Sequence, residues 1–320
     1  MSTGANGSRV VVAGGTGLIG RPLVARLAAD GHEVVVLTRG TPSRVGLPGG
    51  ARAVRWQDGS DSWRNEAGVD GAAAVINLVG EPIAGRRWSA RRKREIVESR
   101  VRSVAVLVDA IRAATNRPAV LLQSSAVGFY GDRGDERIDE GSAPGVGFLA
   151  ATTGTWEEAS AAVESLGVRR VLLRTGLVLS TAGGALAAMA RPFRLGLGAR
   201  LGSGRQWMPW IHIEDEVEAI AHLLGAADAA GPFNLGAPGL VTNAGFTRAL
   251  ARALHRPALF VVPAFALRWV LGEMAILVLG GQRAEPQRLL ESGFRFRYPE
   301  LGPALADLFA PPSSRRERRS

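Results

Sequence analysis

Along the first 180 residues, short and almost uninterrupted apolar runs alternate with stretches in which apolar positions recur every three or four residues. The runs are RVVVAG (9–14), HEVVVLT (32–38), ARAVRW (51–56), AAAVINLVG (72–80), AVLLQSS (119–125) and RRVLLRTG (169–176). A strand with one wet face alternates apolar and polar side chains, whereas a strand covered on both faces reads as continuous. These runs therefore predict an α/β protein built on a doubly wound parallel sheet. Ile96, Val97, Val101, Val104, Leu107, Val108 and Ile111 mark one buried stripe of a helix from about 88 to 115. Asn116-Arg117-Pro118 ends it, because proline disfavours helix in the residue before it. A helix of that length covers the sheet or forms a homodimer bundle; both options stay open.

From about 181 to 210 the pattern gives way to GGALAAMARPFRLGLGARLGSGRQWMPW, dense in glycine and bulky apolar groups. This predicts loops and short helices lying over the carboxyl edge of the sheet, where such folds bind ligands. DEVEAIAHLLGAA (215–227) reads as a helix and GPFNLG (231–236) as a strand returning to the main body. The most apolar stretch, 258–281, is interrupted by Pro263, Arg268 and Glu273. It lacks the roughly 18 clean apolar residues of a membrane span and predicts a pair of core or interface helices. The expected organisation is a nucleotide-binding domain over 1–180 with return segments at about 211–240. A smaller lobe follows from 181–210 and 241–308, and residues 309–320 are expected to form a disordered basic tail.

Composition narrows the chemistry. The absence of cysteine excludes disulfides, thiol catalysis and thiolate metal sites, and His32, His212, His222 and His255 are too scattered for a metal motif. No metal is expected. The net charge of +10 is carried almost wholly by arginine, since Lys93 is the only lysine. Without a dedicated motif that surplus does not by itself indicate nucleic acid, so a small-molecule substrate is expected, with neither nucleic acid nor membrane as partner. The opening MSTGANGSR lacks the apolar stretch of a secretory signal, which places the expected location in the cytoplasm.

AGGTGLIG (13–20) stands between the first strand and the first helix and satisfies both G-x-G-x-x-G and G-x-x-G-x-x-G. Glycines at that spacing make a tight turn, leave backbone bare for a diphosphate and allow close helix–strand contact. Near the end of the second strand an NAD site places an acid for the ribose hydroxyls, whereas arginine favours a 2′-phosphate. The chain reads VVVLTRG, with Arg39 and no acid. NADP(H) is therefore favoured over NAD(H), with Arg21 or Arg44 as helpers. Asp58 is a candidate for the adenine amino group, or else a turn residue or helix cap.

VAGGTGLIGRPL, VINLVGEPIAGRRW, SSAVGFYG, LRTGLVLSTAGGAL, GSGRQWMPWIHIEDEVEAI and GQRAEPQRLLESGFRF together resemble the epimerase-like family of extended or atypical short-chain dehydrogenases/reductases, over about residues 9–306. The resemblance implies a Rossmann-type sheet, bound NADP(H), and a substrate lobe ending in a domain of unknown function. Carried over to this sequence, it puts the phosphate loop at Gly14, Thr16, Gly17, Leu18, Ile19 and Gly20. The segment beside the nicotinamide ribose falls on Asn77, Leu78, Val79, Gly80 and Glu81. Ser125 matches the hydroxyl that holds a substrate oxygen. Gln206, Trp210 and His212 would face the substrate pocket, with His212 alternatively a structural residue at a strand end.

Most of the superfamily moves the proton that accompanies hydride transfer with Tyr-x-x-x-Lys. Here GFLAATTGTWEE (147–158) contains neither residue, an absence shared by the resembled family. Three readings follow. Hydride is transferred with Ser125 and Tyr130, or a water, serving the substrate oxygen; NADP(H) is bound without turnover, as in a redox-responsive regulator; or the basic face binds nucleic acid. The first is preferred. Tyr130 is alternatively loop packing, and Glu157 is an acid/base group if buried and a surface residue otherwise.

Overall fold

The computed structural model describes residues 7–56 and 62–310. Seven strands form one wholly parallel sheet: β1 (Arg9–Ala13), β2 (Glu33–Thr38), β3 (Arg52–Arg55), β4 (Ala74–Asn77), β5 (Val120–Ala126), β6 (Arg169–Thr175) and β7 (Gly231–Leu235). Their spatial order is β7-β6-β5-β4-β1-β2-β3. The direction of winding reverses between β1 and β4, which opens a crevice at their carboxyl ends. The helices are α1 (Gly20–Ala29), α2 (Ser62–Ala67), α3 (Ala90–Ala113), α4 (Phe148–Glu158), α5 (Gly184–Arg194), α6 (Ile213–Gly225), α7 (Asn243–Ala253), α8 (Ala264–Leu271), α9 (Ile276–Leu279), α10 (Gln287–Glu291) and α11 (Leu301–Phe309).

Alternation along the strands sends Val10, Val12, Ile76, Leu122, Val171 and Leu173 to one face, where they pack with Leu23 and Leu27 of α1 and Val217 and Ile220 of α6. Val11, Val35, Val75 and Leu121 go to the other, against Val104, Leu107 and Ile111 of α3 and Trp156 of α4. Both faces are dry, which is why these strands carry no polar alternation. The apolar stripe of α3 is therefore spent inside the chain. Its start is fixed by Ser89, whose Oγ accepts from the Arg92 amide at 3.1 Å.

A separate core joins Leu186 and Phe193 of α5, Trp210, Phe246 and Leu250 of α7, and Leu301, Leu305 and Leu308 of α11. It seats the lobe over the carboxyl edge of the sheet. The stretch expected as two core or interface helices contains the short helices α8 and α9, and the core alternative is the one corrected. Residues Phe260–Val262 form a short strand paired with Ala199–Leu201. After it α8 buries none of its residues, and only Met274 and Ala275 are buried before Gly280. Pro263 and the left-handed turn at Gly272 (φ 61°) cut the stretch into pieces too short to wrap a core. No helix among the described residues is long and apolar enough to cross a membrane.

Candidate functional site

The turn from β1 into α1 is made by Gly14 at φ 83°, and a Cβ there would stand 2.9 Å from the Leu78 carbonyl carbon. At Gly20 a Cβ would meet the Gly14 carbonyl oxygen at 2.2 Å. The glycines are thus required by backbone approaching backbone, and the approach is what draws the head of α1 close to the strands. No side chain caps α1 at Ile19; the Gly17 and Arg21 amides are taken by the Gly14 and Gly17 carbonyls, each at 3.0 Å, and the amides between them are the ones open to a ligand. A helix head of this kind favours an anionic group through its amides and its dipole. Thr16, Gly17 and Leu18 line a cleft of about 520 Å³ together with Arg21 and Pro22 of α1, Ile213 of α6, and the segment Ser180, Ala182, Gly183 and Gly184. That last segment closes onto the turn: a Cβ at Gly184 would stand 2.9 Å from Leu18 Cδ2.

Leu78 continues the edge of the crevice, its amide donating to the Ala13 carbonyl at 2.8 Å. Asn77 is fully buried; its Nδ2 donates to Gln123 Oε1 at 3.0 Å and its Oδ1 accepts from the Val79 amide at 3.1 Å. Asn77 therefore shapes the bend that carries Leu78, Val79 and Gly80 past the cleft. Glu81 is held by Arg92 at 3.1 Å. Beside Gly80 lies Arg100, stacked 4.9 Å from the Trp156 ring and pushed down to about 10 by burial. Ile19 and Gly20 complete the turn. Arg39 is exposed just past β2 and has no partner among the described residues. Arg21 reaches the Gly46 carbonyl at 2.9 Å, so the loop carrying Arg39 and Arg44 runs beside the cleft. Asp58 lies outside the described residues.

The expected proton-handling groups sit in a closed network. Ser125, 4% exposed, donates from Oγ to Glu157 Oε1 at 2.5 Å. Arg174 clamps the same carboxylate with both arms, Nε to Oε1 and Nη2 to Oε2, each at 2.8 Å. Arg174 Nη1 donates to the Tyr130 hydroxyl at 2.9 Å, and that hydroxyl donates to Asn234 Oδ1 at 2.7 Å. The Asn234 amide donates to Glu140 Oε1 at 2.9 Å. The expectation that Tyr130 serves a substrate oxygen is corrected by this geometry: the residue is 0% exposed and its hydroxyl is used in both directions. Burial pushes Tyr130 up to about 12, and burial likewise raises Glu140. For Arg174, burial opposes the charge, but its bonds to Glu157 and Tyr130 more than restore it.

The first turns of α4, where the dyad stands in other members of the superfamily, offer no replacement. Thr152 and Thr153 spend their hydroxyls on the carbonyls of Phe148 and Leu149, each at 2.7 Å. The three residues expected to face the substrate are engaged by contacts within the chain. Gln206 donates to the carbonyls of Leu201 and Val278 at 3.0 and 2.7 Å, tying two backbone segments together. Trp210 is fully buried and donates to the Gly239 carbonyl at 2.9 Å. His212 caps α6, accepting the Glu214 amide at Nδ1, and lies 3.9 Å from the Tyr298 ring with Nε2 3.5 Å from Asp307. Of the two roles open to His212, the structure shows the structural one.

Sequence reading missed the Glu157–Arg174 pair, although an arginine inside the apolar run VLLRT was its signal. A buried guanidinium needs a carboxylate, and Glu157 lay one element away. It also missed Glu216 of α6, which is 1% exposed. Its Oε1 accepts from Thr175 Oγ1 at 2.9 Å, and burial pushes it up to about 8.

Residues 10–236 match the NAD dependent epimerase/dehydratase family, and residues 262–308 match a domain of unknown function, DUF1731. The chain is 42% identical over 297 residues to epimerase family protein Mb2239 of Mycobacterium bovis, covering 92% of this chain and 96% of that protein. The crystal structure of human epimerase family protein SDR39U1 (isoform 2) with NADPH is similar at a TM-score of 0.84 and 35% identity, covering 94% of this chain and 99% of that one. A nucleoside-diphosphate sugar epimerase from Corynebacterium glutamicum gives a TM-score of 0.76 at 32% identity, covering 98% of this chain and 61% of the other. The seven-stranded parallel sheet, the glycine turn over an uncapped helix head and these similarities converge: the chain is a Rossmann-type member of the NAD dependent epimerase/dehydratase family, joined to a C-terminal DUF1731 segment.

Proposed function

We propose that this protein binds NADP(H) and transfers hydride at a carbinol or carbonyl carbon of a small molecule, with Ser125 and Glu157 handling the proton. The observation that carries the reading is Arg39, exposed and without a partner among the described residues, beyond β2 where an acid would serve NAD. The presence of NADPH in the human relative supports the same choice. The turn residues Thr16, Gly17 and Leu18 would hold the diphosphate, and Arg39, with Arg21 and Arg44 near it, the 2′-phosphate. The bound nicotinamide supplies or accepts the hydride.

Ser125 is oriented by its donation to Glu157, which leaves lone pairs on Oγ for a substrate hydroxyl. In the oxidative direction the substrate proton passes to Ser125 Oγ as the serine proton passes to Glu157 Oε1; reduction reverses both transfers. Arg174 clamps both oxygens of Glu157 and fixes the carboxylate beside Ser125, so it acts as a positioning residue. NADPH oxidation measured against a panel of carbonyl compounds and nucleotide sugars tests the reading. Ser125→Ala and Glu157→Gln are each expected to lower kcat by about 10²–10⁴-fold with NADPH affinity held. A second reading, NADP(H) binding without turnover, is favoured by the saturated Tyr130 hydroxyl. Stoichiometric binding with no NADPH oxidation across the panel would establish it over the first.

A further inference from the structure

The lobe carries an apolar surface that the cofactor reading does not use. Of the eleven large apolar side chains exposed among the described residues, eight lie within 195–197 and 259–270. Leu195 is 76% exposed, Leu259 80%, Phe265 74% and Trp269 82%. Side chains lining a cleft are shielded by its opposite wall, so values this high describe a convex face. The two segments are neighbours: the Phe260 amide donates to the Gly198 carbonyl at 3.3 Å, Phe260–Val262 pairs with Ala199–Leu201, and α8 with Phe265 and Trp269 follows directly after Pro263. Exposed apolar side chains gathered on neighbouring segments in this way mark an interaction site.

Charge identifies the occupant. Residues 183–213 and 229–272 contain eight arginines and not one aspartate or glutamate. Arg191, Arg194, Arg256 and Arg268 are exposed and make no ion pair among the described residues, and Arg268 borders a cleft that Asp132 and Glu273 also line. Arg191 and Arg194 belong to the last turn of α5 just before Leu195, Arg256 reaches the Arg194 carbonyl, and Arg268 adjoins Trp269. The next acid along the chain, Glu273, is already paired with Lys93. A second copy docked on this face would set arginines against arginines, a like-charge arrangement that works against association. An anionic bilayer offers hydrocarbon for the aromatic and aliphatic side chains and negative headgroups for the guanidinium rim.

We infer that this face docks peripherally on an anionic lipid surface, with residues 195–197 and 259–270 inserted at the interface and Arg191, Arg194, Arg256 and Arg268 on the headgroups. The inference is independent of the proposed chemistry, and it replaces the expectation of no membrane partner by surface contact without a span. The test is co-sedimentation of the full chain with phosphatidylcholine vesicles, with and without about 30% phosphatidylglycerol. Binding is expected only with phosphatidylglycerol, weakening as salt screens the headgroups. Each arginine removed in an Arg191→Ala/Arg194→Ala variant is expected to lower the partition coefficient about fivefold. Phe265→Ser/Trp269→Ser should also abolish most binding, with an unchanged circular dichroism melt as the folding control, since both positions are exposed. Equal sedimentation with the two vesicle types, or none with either, overturns the inference for the wild-type chain alone. A dimer seen by light scattering that Phe265→Ser/Trp269→Ser dissolves overturns it in favour of a second copy.

Discussion

Two constellations share the carboxyl edge of the sheet, and they are built in opposite ways. The turn between β1 and α1 leaves its binding capacity unspent: α1 has no capping side chain, Thr16 and Gly17 are exposed, and Arg39 stands without a partner among the described residues. The network from Ser125 to Asn234 leaves almost nothing unspent, each hydroxyl, guanidinium arm and carboxylate oxygen being matched to another side chain. The first, on the proposed reading, is a receptor whose cost in unsatisfied donors is settled by a ligand. The second is a rigid polar core whose worth depends on every member being present. A protein of this kind holds a cofactor by groups kept free, and must do its chemistry, if Ser125 does it, with groups already held in place.

The sharpest way to break the comparison is to remove one member of the closed network. Arg174→Met strands the buried Glu157 carboxylate and is expected to lower stability by about 3–5 kcal/mol in urea unfolding, whereas Arg174→Met/Glu157→Leu should recover much of that loss. If the single variant is as stable as the wild type, the network is not the interlocked unit described.

Glu216 gives an effect on the order of a few kcal/mol that depends on pH. Its folded value is raised to about 8 from 4.5, so between those values the folded chain holds a proton that the unfolded chain has released. Stability from this group is then highest at the acid end and falls as pH rises from about 4.5 to about 8. Glu216→Gln keeps an acceptor for Thr175 and should remove that part of the decline, matching the wild type near the acid end and exceeding it at the alkaline end in thermal melts. A variant with an unchanged pH profile would contradict the assignment. Tyr130→Phe is the mildest probe. Loss of its hydroxyl leaves Asn234 Oδ1 unmatched and Arg174 Nη1 with only the Glu140 carbonyl at 3.4 Å, for an expected loss of about 1–3 kcal/mol measured by the same unfolding assay.

Much of the fold was legible because the strands are dry on both faces. Continuous runs such as VVVA and VVVLT have few other readings, and the glycine turn between them marked the candidate nucleotide site. The period of α3 was equally plain from Ile96 to Ile111. What escaped the sequence was direction and partnership. Trp210 and His212 are close in sequence to segments that line the cleft, yet both turn into the lobe's own contacts, and a linear motif does not say which way a side chain points. Gln206 shows the same: its amide is consumed by carbonyls at Leu201 and Val278, 72 residues away from it in the second case. Arg174 and Glu157 belong to different elements and meet only when α4 lies on the sheet. The apolar stretch 258–281 left its choice between core and interface helices open for another reason. Hydrophobicity alone does not distinguish a core helix from a surface meant for contact, and Pro263 and Gly272 decide in favour of short exposed pieces.

The central claim is that the free half of the site is made for a dinucleotide carrying a 2′-phosphate. Titration calorimetry of the wild type and Arg39→Ala with NADPH and NADH tests it most directly. The wild type is predicted to bind NADPH in preference to NADH, and Arg39→Ala to lose about tenfold or more in NADPH affinity while binding NADH unchanged. Equal affinity of the folded wild type for the two nucleotides, or an Arg39→Ala variant with undiminished NADPH binding, would contradict it.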